Sequence, residues 1–459
     1  MGAAAAFFDL DRTLVRGATG PAFGGAMREV GVLGRGPVPG ESLLYGLFGL
    51  IGETRPAMVL TRQAARLAQG WVRAAVQEAG QVAAERLAAT IQPFAAAVLD
   101  QHRRSGHRLV MATTTPVDMV RPLADRLGFD DVIATRYGTD GDGRYDGTIA
   151  GEFVWGSGKL RAVQAWAAAH QVDLADCWAY SDSYYDRPLL AAVGHPVVVN
   201  PDLRLLALAI ARRWPVTYLD VPPGVAKLPL VGIELQHLLM PVVRPELMPY
   251  ARFTLDGLDN LPTTGPALIA ANHRSYFDPL ALGVALAKRG RPVRFLGKRE
   301  LFDAPVVGSA MRALGVIPVD RASRSDQPLA AAAAALAAGE LVAILPQGTI
   351  PRGPAFFEPK LEGRTGAARL AAMTKAPVIP IGLWGTERVW PRRERLPRLW
   401  NLLDPPRITV RVGPPVDLKY RSPAADTRRI MDAIVDLLPA EARQPREPTP
   451  EELALTYPP

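Results

Sequence analysis

The sequence predicts an α/β fold in two successive domains, and three observations carry that reading. Short apolar runs stop abruptly at polar residues: Ala3–Phe8 before Asp9, Arg108–Ala112 before Thr113, Cys177–Tyr180 before Ser181, Ala267–Ala271 before Asn272, and Leu341–Leu345 before Pro346. Such runs fit strands buried on both faces of a parallel sheet, whose carboxyl ends hold ligands. Ala/Leu-rich segments with helical spacing lie between them, the alternation of an α/β chain. Between them, from about 202 to 249, Pro215, Pro222, Pro223, Pro229 and Pro241 break the pattern. The expected boundaries are a first domain over 1–201 with a helical cap at about 19–90, a linker with interfacial helices over 202–249, a second domain over 250–441, and a disordered Pro/Glu-rich tail over 442–459.

The first domain opens with a strand ending in Asp9-Leu10-Asp11-Arg12-Thr13. In an extended chain Asp9 and Asp11 project to one side, and paired carboxylates repel unless a cation lies between them. Three further pieces follow. The hydroxyls of Thr113, Thr114 and Thr115 end a strand. Gly156-Ser157-Gly158-Lys159 opens a helix and brings a cation and free N–H groups to an anion. A second carboxylate pair, Asp182 and Asp186, ends another strand. These are the parts needed for Mg²⁺-dependent phosphoryl transfer through an aspartyl-phosphate.

In this order the motifs resemble the haloacid dehalogenase-like phosphatases, near phosphoserine phosphatase. The resemblance implies a Rossmann-like domain with a helical cap. It implies Asp9 as nucleophile and Asp11 as general acid/base, with Thr113, Thr114 and Lys159 binding the phosphoryl group. Asp9, Asp11, Asp182 and Asp186 become the Mg²⁺ set. Leu14, Val15, Arg16 and Gly17 follow Thr13 without the carboxylate that meets a phosphoserine amine, so phosphoserine is not the expected substrate. In the cap, Met58, Leu60, Ala64, Leu67, Ala68 and Trp71 read as a packed stripe, and the apolar run Leu43–Leu50 as core packing or a lipid contact.

The second domain centres on Asn272-His273-Arg274-Ser275-Tyr276-Phe277-Asp278, between an apolar strand and a helix with Pro279 near its start. On one continuous helix, residues five apart point about 140° away from each other. A loop holding His273, with Asp278 as the helix N-cap, instead lets the imidazole fold onto the carboxylate. That makes an oriented general base for a hydroxyl. This stretch resembles the first motif of the 1-acylglycerol-3-phosphate acyltransferase family, an α/β glycerolipid acyltransferase fold. Gly315–Arg321 matches its second motif, implying that Arg321 binds acceptor phosphate. Pro346-Gln347-Gly348-Thr349-Ile350 stands where the family has Pro-Glu-Gly-Thr-Arg, and the resemblance implies Gln347, Gly348 and Thr349 as substrate-binding residues. Gln347 replaces a glutamate with similar hydrogen-bonding shape, and Ile350 removes a phosphate ligand for which Arg352 or Lys360 is a candidate substitute. Val378–Gly382 matches the fourth motif. Backbone N–H groups near Gly348 are candidate oxyanion donors.

Composition bounds the rest. The net charge of +8 favours anionic partners, and 7% aromatics without basic-aromatic interleaving exclude base stacking on nucleic acid. A single cysteine, Cys177, forms no intramolecular disulfide. Met1–Phe8 lacks a basic signal-peptide start, and no stretch reaches the roughly 18 apolar residues of a spanning helix. The expectation is a cytoplasmic protein on the cytoplasmic, anionic face of the membrane. It would acylate a lysophospholipid, as in 1-acylglycerol-3-phosphate to phosphatidate, from acyl-CoA or acyl carrier protein, and hydrolyse a phosphomonoester with Mg²⁺. Two alternatives stay open: another acceptor with the first domain as scaffold or sensor, or a membrane-surface binding module without acyl transfer.

Overall fold

The computed structural model describes residues 4–34, 55–223, 225–228, 232–319 and 329–458. The chain divides into two units, Met1–Val221 and Pro222–Pro459. Arg321 and the run Leu43–Leu50 lie outside the described residues.

The strands of the first unit are β1 (Ala5–Phe8), β2 (Arg108–Pro116), β3 (Asp131–Thr135), β4 (Tyr137–Thr139), β5 (Tyr145–Ile149), β6 (Trp178–Ser181), β7 (His195–Val199) and β8 (Val216–Thr217). Six of them, among the described residues, form a parallel sheet in the order β3-β2-β1-β6-β7-β8. The order reverses at β1, and α/β sheets bind ligands at such a reversal, beyond the carboxyl ends of the strands. β1 is apolar throughout because helices cover both faces; Phe8 stacks on Tyr180 at 4.3 Å between centroids.

The linker expected from 202 begins later. The helix Leu203–Arg212 and β8 complete the first sheet, because Leu205 and Ala209 enter its core. In the cap region, helices run Gly20–Glu29, Arg55–Leu67 and Arg73–Ala88, and β4 and β5 form an antiparallel hairpin. Met58 and Ala68 are buried, whereas Leu67 is 77% exposed. The inward stripe runs through Ala65, and Leu67 falls beside it. At Gly80 a Cβ would meet Asp118 O and Met119 O at 2.9 Å, so only glycine permits this helix approach.

Beneath the sheet, His102 Nδ1 meets His107 Nδ1 at 2.8 Å and its Nε2 meets the Tyr180 hydroxyl at 2.7 Å. Burial, and then the neighbouring His107, lower the His102 pKa from 6.5 to about 4. The folded state therefore binds fewer protons than the unfolded chain between those values. Stability is expected to fall as pH drops from 6.5 towards about 4. Urea midpoints at pH 7 and pH 5 should differ less for His102→Gln than for the native protein. An equal drop in both would remove His102 as the cause.

The second unit contains β9 (Arg252–Asp256), β10 (Ala267–Ala271), β11 (Val293–Lys298), β12 (Ile317–Val319), β13 (Leu341–Ile344), β14 (Val378–Trp384) and β15 (Arg407–Val412). Among the described residues the sheet order is β12-β11-β13-β10-β14-β15-β9, antiparallel only between β14 and β15. β10 is central and buried along its length, so the loop after it is held by strands on both sides.

The stretch around the helix Leu235–Leu239, read as interfacial or domain-docking, is tied into this unit by charge. Arg294 of β11, 3% exposed, donates to Glu234 at 2.9 Å and to Glu340 at 2.8 Å. The tail read as disordered carries a helix, Pro450–Leu455, started by a capping box of Thr449 and Glu452 with Pro at its first turn. Thr456 Oγ1 then accepts the Gly353 N–H at 2.8 Å. The Pro/Glu content masked a legible helix start. Among the described residues, no helix is long and apolar enough to cross a membrane.

Candidate active sites

In the first unit, β1 delivers Asp9 to the reversal point, and the turn Leu10–Leu14 swings Thr13 back underneath it. Arg12 takes a φ of 56° to make that turn. Lys159, 1% exposed, donates to Asp9 Oδ1 at 2.8 Å and to Asp186 Oδ2 at 2.6 Å. Ser181 Oγ also donates to Asp186 Oδ2, at 2.7 Å. The Thr13 hydroxyl lies 3.4 Å from both Asp9 Oδ2 and Asp182 Oδ1 and accepts the Asp182 N–H at 3.1 Å. Arg12 Nε sits 3.3 Å from Asp182 Oδ2.

Asp9, Lys159, Asp182 and Asp186 thus converge. Thr113, 1% exposed, lies on the adjoining β2 and accepts from Thr115 N at 3.3 Å. Thr114 is turned aside and donates to Val154 O at 2.9 Å. Asp11 accepts the Thr19 N–H at 2.5 Å. Half-buried as a residue, it has a carboxyl whose pKa is raised by desolvation, against the Thr19 hydrogen bonds and the Lys159 charge.

The residues fit a hard divalent cation. Mg²⁺ is typically held by one or two carboxylates, with water and substrate phosphate completing the shell. Asp9 and Asp182 lie on either side of the Thr13 hydroxyl, and Asp186 Oδ1 is buried with no hydrogen-bond partner among the described residues. A four-carboxylate cage is not assembled. Among the described residues no group of three or more His, Cys, Asp or Glu side chains has metal-ligand spacing, because Asp11 turns to Thr19 and Asp186 turns to Lys159. Sequence reasoning passed over Arg12 and Thr13; the polar pair directly after the acidic strand end was the available signal.

In the second unit, Asp278 is fully buried and accepts four hydrogen bonds. Its Oδ2 takes His273 Nδ1 at 2.7 Å, Arg274 N at 2.6 Å and Ser275 N at 2.8 Å. Its Oδ1 takes the Thr386 hydroxyl at 2.6 Å. The N-cap is Phe277, not Asp278, which occupies the first helical position and bonds backward into the loop. Asn272 locks the same loop to β14, donating to Leu383 O at 2.9 Å and accepting Leu383 N–H at 2.7 Å. With Nδ1 held by Asp278, His273 presents Nε2 as its proton-accepting nitrogen.

His273 opens onto a cavity of about 910 Å³ with walls that include Leu239, Met240, Leu280, Phe295 and Met311. Gly348 and Thr349 line it too. Gln347 does not; its Oε1 accepts the His273 N–H at 2.6 Å. Glutamine supplies the acceptor for that contact without a charge. The Gly348 N–H donates to Leu345 O at 2.9 Å, which removes it as an oxyanion donor. Arg352 is exposed at the start of the turn Gly353–Phe356, outside the lining, whereas Arg392 and Arg364 are within it. Ile350 is 2% exposed.

Comparison with known proteins agrees with this division. The haloacid dehalogenase-like hydrolase family matches residues 6–191, and the acyltransferase family matches residues 252–384. An "Inhibition of morphological differentiation protein" of Streptomyces azureus is 34% identical over 217 residues, 46% of this chain and 77% of its own length. A phosphoserine phosphatase of Mycobacterium tuberculosis is 33% identical over 214 residues, 46% of this chain and 69% of its own. A solved 1-acyl-sn-glycerophosphate acyltransferase of Thermotoga maritima is 22% identical, covering 44% of this chain and 78% of its own, with a TM-score of 0.32. Through its first unit the chain belongs to the haloacid dehalogenase-like hydrolases, and it carries an acyltransferase domain fused behind it.

Proposed function

We propose that the second unit acylates the free hydroxyl of a lysophospholipid, forming phosphatidate from 1-acylglycerol-3-phosphate, with acyl-CoA or acyl carrier protein as donor. The observation that carries this reading is the His273–Asp278 contact of 2.7 Å at the wall of a largely apolar cavity. His273 Nε2 takes the proton of the acceptor hydroxyl while the oxygen attacks the thioester carbon. The C–O bond forms, the C–S bond breaks, and the departing sulfur receives the proton from the imidazolium. Asp278 holds the ring orientation and stabilises its charged form.

The first unit, in the same reading, hydrolyses a phosphomonoester. Asp9 attacks phosphorus, and the bond to the leaving alcohol breaks. Asp11, whose burial favours the protonated form, gives that alcohol its proton. Water then attacks the aspartyl-phosphate, Asp11 takes its proton, and phosphate leaves. Lys159 and Thr113 hold the phosphoryl oxygens. Mg²⁺, held by Asp9 and Asp182, would neutralise phosphoryl charge. No carboxylate follows Thr13 in Leu14-Val15-Arg16-Gly17, which favours a phosphomonoester other than phosphoserine. Peripheral attachment to the cytoplasmic, anionic face of a membrane belongs to the same proposal, supported by the net charge of +8.

Labelled acyl-CoA supplied with lysophosphatidate, glycerol phosphate or monoacylglycerol in parallel tests the acceptor. Lysophosphatidate should be acylated fastest. Preference for monoacylglycerol would overturn the phosphatidate assignment.

A further inference from the structure

Arg392 is 7% exposed and lines the same cavity as His273. One of its terminal nitrogens donates to Ile350 O, and the Tyr276 hydroxyl is a second partner. Its Nε is buried with no hydrogen-bond partner among the described residues. Among the described residues no carboxylate neutralises it; the other charged group acting on it is Arg352, a second cation. A buried guanidinium normally sits in an ion pair, because its desolvation goes uncompensated otherwise. Two other cations of the lining are engaged elsewhere, and Arg364, also in the lining, is exposed to solvent where Arg392 is buried. Arg291 donates to Pro262 O, Gly265 O and Gly339 O, and Lys298 pairs with Glu300 at 3.0 Å.

The segment bearing Arg392 is stitched to the catalytic loop. Thr386 donates to Asp278 at 2.6 Å, and Ser275 donates to Trp390 O at 2.7 Å. Arg392 is therefore held in register with His273, the base that must meet the acceptor hydroxyl. An anion on Arg392 would fix the molecule carrying that hydroxyl. Ile350 itself brings no charge to the lining, and its carbonyl accepts from Arg392.

We propose that Arg392 is a specificity-determining residue that binds the phosphomonoester group of the acyl acceptor. This rests on the acyltransferase reading of the cavity. Phosphate could also come from coenzyme A, so the test separates the two sources.

Initial rates are measured with short-chain lysophosphatidate and with monoacylglycerol, for the native chain, Arg392→Gln and Arg392→Lys. All carry Asp9→Asn, so that the first site leaves the phosphate in place. Acceptor is varied at saturating acyl-CoA, and acyl-CoA at saturating acceptor. Arg392→Gln should lower kcat/KM for lysophosphatidate about 10- to 100-fold, the scale of one charge-assisted hydrogen bond. The value for monoacylglycerol and the KM for acyl-CoA should hold, and Arg392→Lys should recover part of the loss. Equal loss on both acceptors would mean that Arg392 only supports the Ile350 loop. A selective rise in KM for acyl-CoA would assign the anion to the donor. Either outcome, or no change, overturns the proposal.

Calorimetric titration of the same lipids into Asp9→Asn/His273→Ala, with and without Arg392→Gln, reads binding independently of turnover. The preference for the phosphorylated lipid should disappear with Arg392. If the native chain acylates no acceptor yet this preference depends on Arg392, the catalytic reading fails and the phosphate site stands. A preference that survives Arg392→Gln overturns the site.

Discussion

His273→Ala is expected to slow acyl transfer about 10²- to 10⁴-fold, the range of a positioned general base. Its effect on stability should be about 1 kcal/mol or less, because the ring is half-buried and makes one hydrogen bond. Asp278→Asn should lose comparable activity and cost more in stability. The carboxylate accepts four donors, three of them on Oδ2. An amide oxygen turned to those three donors accepts them without a charge, and its NH₂ forces the Thr386 hydroxyl to reverse from donor to acceptor, so charge-assisted hydrogen bonds are lost at a cost of about 1–3 kcal/mol. Thermal melts beside acyl-transfer rates check both variants. Full activity in Asp278→Asn would mean that the contact orients nothing of consequence.

At the first site, Lys159→Met is expected to destabilise the unit by roughly 3–5 kcal/mol, the cost of leaving buried charges without their partner. Asp9 and Asp186 would then face each other, with Asp186 Oδ1 already lacking a partner. Asp9→Asn should do the opposite. The amide keeps the shape and removes one of the carboxylates crowded around Lys159, so the fold should persist while phosphate release falls to background. Urea unfolding and phosphate release with Mg²⁺ read the two effects. Native-rate release from Asp9→Asn would exclude Asp9 as the nucleophile and favour a first unit that acts as scaffold.

Much of this was legible because strand ends carry the chemistry. Asp9, Thr113, Asp182 and His273 all follow apolar runs that could only be buried strands, and the sheet order brings the first three together. Lys159 was legible as the cation at a helix entry. What stayed hidden depended on contacts distant in sequence. Thr386 lies 108 residues from Asp278, and Asn272 lies 111 residues from Leu383. Gln347 looked like a weakened substrate ligand, and its actual partner is a backbone N–H 74 residues away. Arg352 was the nearest cation in sequence to Ile350, but the one that bonds Ile350 O is Arg392, 42 residues on. Local spacing cannot rank such candidates, since a side chain's reach is set by which loops the sheet places side by side.

The central claim is that one chain carries two separate reactions, run by His273 and by Asp9. Acyl transfer to lysophosphatidate and Mg²⁺-dependent phosphate release, measured on the same preparations of native protein, His273→Ala and Asp9→Asn, test it directly. His273→Ala should lose acyl transfer and keep phosphate release, and Asp9→Asn should do the reverse. Acyl transfer at the native rate in His273→Ala, or phosphate release at the native rate in Asp9→Asn, would contradict it.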